Sequence, residues 1–202
     1  MEREPRSSPS GGPPSDSPEA RLVERLRRGD ETAFDETYEL HRAGLFSFLV
    51  RASRERALAE ELLQETWLRF AQKARTLAPE TDLRAWLFTV ARNLLRSRLR
   101  RDRFGRELLA VLGFGKPAAE ASPFDLVAAS ETERNLEIAI GELPPSLREV
   151  VLLAVVERLE PAQVARVLGL RPEAARQRLA RARGMLARLL DRANGEPIGE
   201  RP

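Results

Sequence analysis

The stretch EPAQVARVLGLRPEAARQRLARARGMLARLL, residues 160–190, decides how this chain is read. Two apolar patterns at helical spacing lie on either side of a glycine. Val164, Ala165, Val167 and Leu168 give the first, short segment an apolar face. Pro161 suits its first turn, where a missing N–H has no intrahelical partner to lose. Gly169 supplies a tight turn, and Pro172 opens a longer second segment. At ~100° per residue, Ala175, Leu179, Ala182, Leu186, Leu189 and Leu190 share one face of that segment. Glu173, Gln177, Ala180, Arg181, Gly184 and Arg188 share the opposite one. A short helix, a glycine turn and a second amphipathic helix spell helix-turn-helix. Apolar residues behind, polar residues toward base edges and basic flanks toward phosphates are what a recognition helix requires. The candidate DNA contacts are therefore Arg171, Glu173, Ala174, Arg176, Gln177, Arg178, Arg181 and Arg183. A solvated helix whose arginines reflect GC-rich coding accounts for the charge, but not for the short helix and turn before it.

Upstream, REVVLLAVVERL is apolar nearly all round and is expected to be buried. Ser130 with Glu133, and Ser146 with Glu149, both have the spacing of a capping box, so each pair predicts a helix start. Residues 102–129 mix glycines, prolines and one apolar patch and read as a linker. Leu108, Leu109, Val111 and Leu112 in that patch predict a short docked helix. Before the linker, four helical patterns follow one another: one from Pro18 to Gly29, one capped by Asp30 and reaching about Arg51, one from about Ala57 to Arg75, and one from Thr81 or Asp82 to about Arg101. No segment alternates with a period of two, so no sheet is expected. The expected fold is all-α, with two small helical domains at 19–101 and 130–190, a linker at 102–129 and flexible tails at 1–18 and 191–202.

Composition narrows the function. The chain has 202 residues, no cysteine and one histidine, His41. Disulfides, thiolate catalysis and thiolate zinc sites are excluded, and a cytoplasmic protein is the natural reading. No apolar run approaches the ~18 residues of a membrane span. The first twenty residues contain no apolar segment, so they read as a disordered tail and not as a signal peptide. No metal cluster, nucleophile–base pair or Gly-rich phosphate loop is present to support catalysis, and no cofactor is implied. Lys73 and Lys116 are the only lysines, so the basic character rests on arginine. Arginine can contact phosphate or base edges with two parallel hydrogen bonds where it clusters.

A second cluster stands at residues 81–101. Leu83, Trp86, Leu87, Val90 and Leu94 form the expected core face, while Arg92, Arg96 and Arg100, four apart, make one stripe beside Asn93. Arg98, Arg101 and Arg103 thicken the charge. Such a stripe fits a nucleic-acid strand or duplex backbone. A solvated basic helix end is the alternative. In ALAEELLQETWLRFAQKA, residues 57–74, Ala59, Leu63, Trp67, Phe70 and Ala74 point one way. Glu61, Gln64, Glu65, Leu68 and Gln72 point the other, with Leu62 and Leu68 off the core stripe. An acidic face with apolar patches suits a basic protein partner. Ordinary surface scatter explains it equally well.

Taken together, these segments resemble a bacterial extracytoplasmic-function sigma factor. AEELLQETWLRF (59–70) is similar to the segment of sigma region 2 that binds the polymerase clamp helices. LRAWLFTVARNLLRSRLRR (83–101) is similar to the part of region 2 that melts and reads the minus-ten element, and residues 143–186 resemble region 4, which reads the minus-thirty-five element. The resemblance implies that Glu61, Leu62, Gln64, Glu65 and Leu68 contact the clamp helices of the largest subunit of core RNA polymerase. It implies that Arg92, Asn93, Arg96 and Arg100 contact the minus-ten element. It also implies promoter DNA as a ligand, no catalysis by this chain, and an anti-sigma protein encoded elsewhere. The competing expectation is a stand-alone helix-turn-helix regulator, which would act as a dimer on a palindromic site.

Overall fold

The computed structural model describes residues 17–111 and 130–193. The tails expected at 1–18 and 191–202 lie outside the described residues except at their inner edges, and so does 112–129 of the expected linker. Among the described residues the chain is helical, with no strand.

The first domain holds α1 (Pro18–Arg27), α2 (Glu31–Ser53), α3 (Arg56–Lys73) and α4 (Leu83–Val111). Local chemistry sets the starts. Ser17 Oγ accepts the Ala20 N–H at 3.1 Å, and Asp30 Oδ1 accepts that of Thr32 at 2.9 Å. Each satisfies a donor that the first turn cannot pair internally. Asp82 does the same for α4, accepting from Ala85 N at 2.8 Å. Leu22, Val23 and Leu26 of α1 enter a core built from Leu45, Phe48 and Leu49 of α2, Phe70 of α3, and Leu83 and Leu87 of α4. Phe34, Trp67, Phe70 and Trp86 join edge-to-face and tilted ring contacts there.

Helix α4 continues ten residues past the expected boundary at 101. Gly105 lies inside this extension, and one glycine costs only about 1 kcal/mol inside a helix. Once nucleated, a helix propagates through such a cost. Residues 102–111 are therefore a helical extension of the first domain's last element, not the start of a tether.

The second domain holds α5 (Glu131–Glu142), α6 (Pro145–Val151), α7 (Pro161–Leu168) and α8 (Pro172–Ala193). The Ser130–Glu133 capping box forms in both directions. The Ser146–Glu149 pair does not form one: Pro144 occupies the N-cap of α6, and Glu149 is turned to a partner in the other domain. Two prolines in succession move the start two residues earlier, from Ser146 to Pro144 at the N-cap, because each suits a position where no N–H is required. Past Val151 the helix widens into a single π turn, Leu152–Val156. Val150, Val151, Leu152 and Leu153 are buried, whereas Val155 is exposed. Gly169 takes a left-handed φ of 64° between α7 and α8, the conformation a C-terminal glycine adopts without strain. The buried apolar residues of the two domains form one continuous cluster.

Candidate nucleic-acid and polymerase interfaces

The packing of α8 fits its wheel. Ala175 and Ala182 are buried, with Leu179, Leu186 and Leu189 packed against the core. Arg171, Glu173, Arg176, Gln177, Arg181 and Arg183 are exposed, and Ala174 and Arg178 are half-buried. The Arg171 carbonyl accepts from Ala175 N at 3.0 Å, so its backbone closes the first turn while its guanidinium stays outside. Arg176 and Glu173 approach to 3.5 Å in an exposed pair, which solvent makes weak. The outward face therefore carries polar side chains one turn apart, with an apolar base behind them.

The stripe on α4 is divided. Asn93, Arg96 and Arg100 are exposed. Arg92 is only 4% exposed. It donates from Nε to Glu149 Oε2 at 2.8 Å and from Nη1 to the Val167 carbonyl at 3.2 Å, both in the second domain. The expectation of a continuous open stripe is thus corrected at its first member. The residues on the far side of α4 from its core face meet α7, and periodicity within α4 carries no information about that. Arg98 also departs from expectation. It pairs with Glu61 at 2.6 Å and with Asp102 at 3.2 Å, and so bridges α4 to the outer face of α3.

On α3, Glu61, Gln64 and Leu68 are exposed, Leu68 to 59%, and Glu65 is half-buried and paired with Arg69 at 2.9 Å. Leu62 is 4% exposed and belongs to the core, so it is not part of the outer face as expected. The true core stripe of α3 includes Leu58, Leu62 and Thr66 beside Trp67 and Phe70, because α3 is wedged between α2 and α4 and is covered over a wider arc than one amphipathic stripe.

Sequence reasoning missed the residues of the seam between the domains. Arg51 donates to Glu137 at 2.9 Å, a pair with side chains under one-fifth exposed. Asp82 accepts from Gln163 at 2.8 Å and also pairs with Arg166. Glu157 accepts from Ser47 at 2.8 Å, and its carbonyl accepts from Arg84. Arg148 donates to the Ile140, Gly141 and Leu143 carbonyls at the end of α5 and to that of Ala52 across the seam. A cation at helix C-termini satisfies carbonyls that have no intrahelical partner. Burial pushes the Glu157 carboxyl up from its ordinary pKa. Burial, aided by the Arg84 guanidinium, pulls His41 down to about 4. A cavity of about 520 Å³ opens here, lined by Glu19, Leu40, His41, Arg84, Phe88 and Glu157 among others. The one available sequence signal was Gly44, a lone glycine inside an otherwise strong helical pattern.

Among the described residues no group of acidic or histidine side chains is arranged to hold a metal, and no helix is long and apolar enough to cross a membrane.

A four-helix unit followed by a helix-turn-helix unit, each with an arginine-bearing helix, defines a two-part DNA-binding protein. Residues 37–104 match the family model Sigma-70 region 2, and residues 133–186 match Sigma-70, region 4. The ECF RNA polymerase sigma factor BldN of Streptomyces coelicolor is 34% identical over 88% of this chain and 69% of its own length. The RNA polymerase sigma factor CarQ of Myxococcus xanthus is 34% identical over 83% of this chain and 95% of its own. A solved structure of the sigma factor RpoE of Bartonella quintana, bound to the anti-sigma factor NepR, superposes with a TM-score of 0.66 at 26% identity, over 78% of this chain and 96% of that one. The chain belongs to the extracytoplasmic-function RNA polymerase sigma factors. It binds core RNA polymerase and directs promoter recognition and initiation, the first domain serving the minus-ten element and the second the minus-thirty-five element. Sigma factors are not enzymes.

Proposed function

We propose that promoter selection by this chain rests on three surfaces. The outer face of α8 reads the minus-thirty-five duplex in its major groove, with Glu173, Gln177 and Arg181 toward bases and Arg171, Arg176, Arg178 and Arg183 toward phosphates. The exposed part of the α4 stripe, Asn93, Arg96 and Arg100, binds the minus-ten element and the strand that opens there, and Arg92 joins it once uncovered. The outer face of α3, Glu61, Gln64, Glu65 and Leu68, docks on the clamp helices of the largest polymerase subunit. Leu62 supports that face from behind.

The observation that carries this reading is the exposure of every outward reader on α8 above a buried alanine base. Two unlike arginine-bearing helices in one chain argue against a dimeric helix-turn-helix regulator. The working units are residues 19–101, extended by the rest of α4, and residues 130–190. The likeness to an anti-sigma-bound neighbour supports a protein inhibitor encoded elsewhere, and a transcription factor of this kind works in the cytoplasm.

Replacing Glu61 and Glu65 with Lys tests the docking surface. Both side chains are at the surface, so their ion pairs contribute little to the fold. Core polymerase binding should fall while the helical circular dichroism signal stays unchanged. Unaltered affinity would remove α3 as the docking surface.

A further inference from the structure

We infer that the cavity beside Gly44 is a binding site for a small organic cation, an ammonium group carried on an apolar body. The site shares no residue with the three surfaces proposed above and does not depend on which DNA they read.

The cavity has the size and the lining of a ligand site. It holds about 520 Å³ between α1, α2, α4, Glu157 and Gln163 of α7. Small-molecule sites are clefts of roughly 300–1,000 Å³, mostly apolar, with a few convergent polar groups. Leu22, Leu83 and Phe88 supply buried apolar lining. Leu40 lines the cavity too, yet is 67% exposed, so it stands at the mouth and extends the apolar surface outward.

Gly44 makes the notch that brings a carboxylate to the wall. A Cβ at this position of α2 would stand 2.6 Å from Glu157 Oε2. The missing side chain is what admits Glu157, at the cost of a glycine inside a helix. Ser47, one turn along α2, donates to Glu157 Oε1 at 2.8 Å and holds the carboxylate in place, with Oε2 at the notch.

Charge selects the ligand. Glu19, Glu36 and Glu157 line the cavity against one guanidinium, that of Arg84. Arg25 balances Glu36 from outside the lining. Arg84 donates to a neutral group, the Glu157 carbonyl. Glu19 and Glu157 therefore outweigh the basic lining. Burial pushes both carboxyls up from their ordinary range, so as anions they gain more from a bound cation than exposed carboxylates do. Burial, then Arg84, keeps His41 uncharged at neutral pH, and its ring makes no hydrogen bond among the described residues. A neutral imidazole has a lone pair that can accept from an ammonium N–H. An organic anion would instead meet two carboxylates and an uncharged ring. A bare metal ion fits no better, because among the described residues no acidic or histidine group is arranged to hold one. Carboxylate and imidazole acceptors beside an apolar lining match an ammonium on an apolar body.

His41 is the only histidine of the chain, so selective isotope labelling of histidine gives one ring line in the NMR spectrum of the full-length protein, from the cavity wall itself. Phenethylammonium chloride should shift that line saturably. Phenethyl alcohol, the same body without the charge, should bind about tenfold or more weakly, since charge-assisted hydrogen bonds are about twice as strong as neutral ones. Phenylacetate, with the opposite charge, should leave the line in place. Glu157→Gln keeps the acceptor for Ser47 and removes the charge; it should lower ammonium affinity about tenfold and leave the alcohol unchanged. Glu60→Gln removes an equal charge from an exposed site on α3, outside the lining, and should change neither. Leu40→Arg puts a like charge at the mouth, at a position too exposed to unfold the chain, and should abolish the response to the ammonium even if Glu157→Gln fails to fold. Equal responses to the three probes, or no saturable shift from the ammonium, overturn the site. So does full ammonium affinity in Leu40→Arg or in folded Glu157→Gln, and so does an equal loss in Glu60→Gln, which would mean that only the net charge of the chain is felt.

Discussion

Helices α4 and α8 are both rich in arginine at helical spacing, and they meet opposite fates. On α8 the arginines flank an apolar stripe that is pinned to its own domain, and the outward residues stand in solvent. On α4 two sides are covered: one by α2 and α3, the other by α7. Arg92 is consequently sealed against Glu149, while Arg96, one turn on, is open. The same residue type at the same spacing therefore stands open to solvent in one helix and is half of a buried ion pair in the other. What differs is the number of elements that pack on the helix, and periodicity within a single helix reports only whether one face is apolar.

The largest expected effect sets the two helices directly against each other. Arg92→Ala leaves Glu149 facing a dry seam, and an uncompensated buried charge costs about 3–5 kcal/mol. The cost appears as a lower unfolding free energy or, if the seam parts and admits water, as faster hydrogen exchange along α4. Arg181→Ala, on the open face of α8, should stay within about 0.5 kcal/mol in the same denaturation experiment. Similar small effects in both, with no change in exchange, would break the contrast.

Next in size are the effects on binding. Gln177→Ala should lose roughly 1–3 kcal/mol of promoter affinity, concentrated at particular base pairs of the upstream element. Arg183→Ala should weaken every sequence alike and lower the salt slope by about one. Equal losses on all sequences for both variants would make α8 a helix that grips DNA without reading it. The turn that aims α8 is a smaller lever. Gly169→Ala has open space around it but a left-handed φ of 64°, so a thermal melt should show a loss of about 1 kcal/mol from strain alone.

A pH-dependent effect concerns the seam's histidine. His41 is held at about 4 instead of 6.5, chiefly by burial and then by Arg84. A histidine whose folded value is depressed contributes stability that is fully present above 6.5 and is lost as pH falls toward 4. His41→Asn should therefore lose less stability than the wild type between about pH 7 and about pH 5. The carboxyls of Glu19 and Glu157, pushed up by burial, act in the opposite sense in both proteins, so the difference between the two slopes isolates the histidine. Parallel denaturation midpoints across that range would show that His41 does not feel the seam.

The recognition helix was legible because its information is local. A glycine that takes positive φ, a proline at the first turn and an apolar stripe over one domain are each dictated by a few neighbouring residues. The Ser130–Glu133 box was legible for the same reason, and Ser146–Glu149 failed because Glu149 found a stronger, charged partner outside its own turn. Leu62 was misplaced on the outer face because α3 is covered over a wider arc than one stripe.

The amino-acid order by itself determined the helical class, the two arginine-bearing helices and the turn between α7 and α8, since all of these follow from backbone propensity and the period of apolar residues; the family was legible only as a resemblance of whole segments. Only the tertiary structure decided which arginines are available. It set Arg92 against Glu149, Glu157 into the notch at Gly44, and Asp82 between its own helix start and Arg166. Those partners stand from 57 to more than 100 residues apart, and whether a charge is buried depends on what packs over it, which a pattern with a period of a few residues does not record.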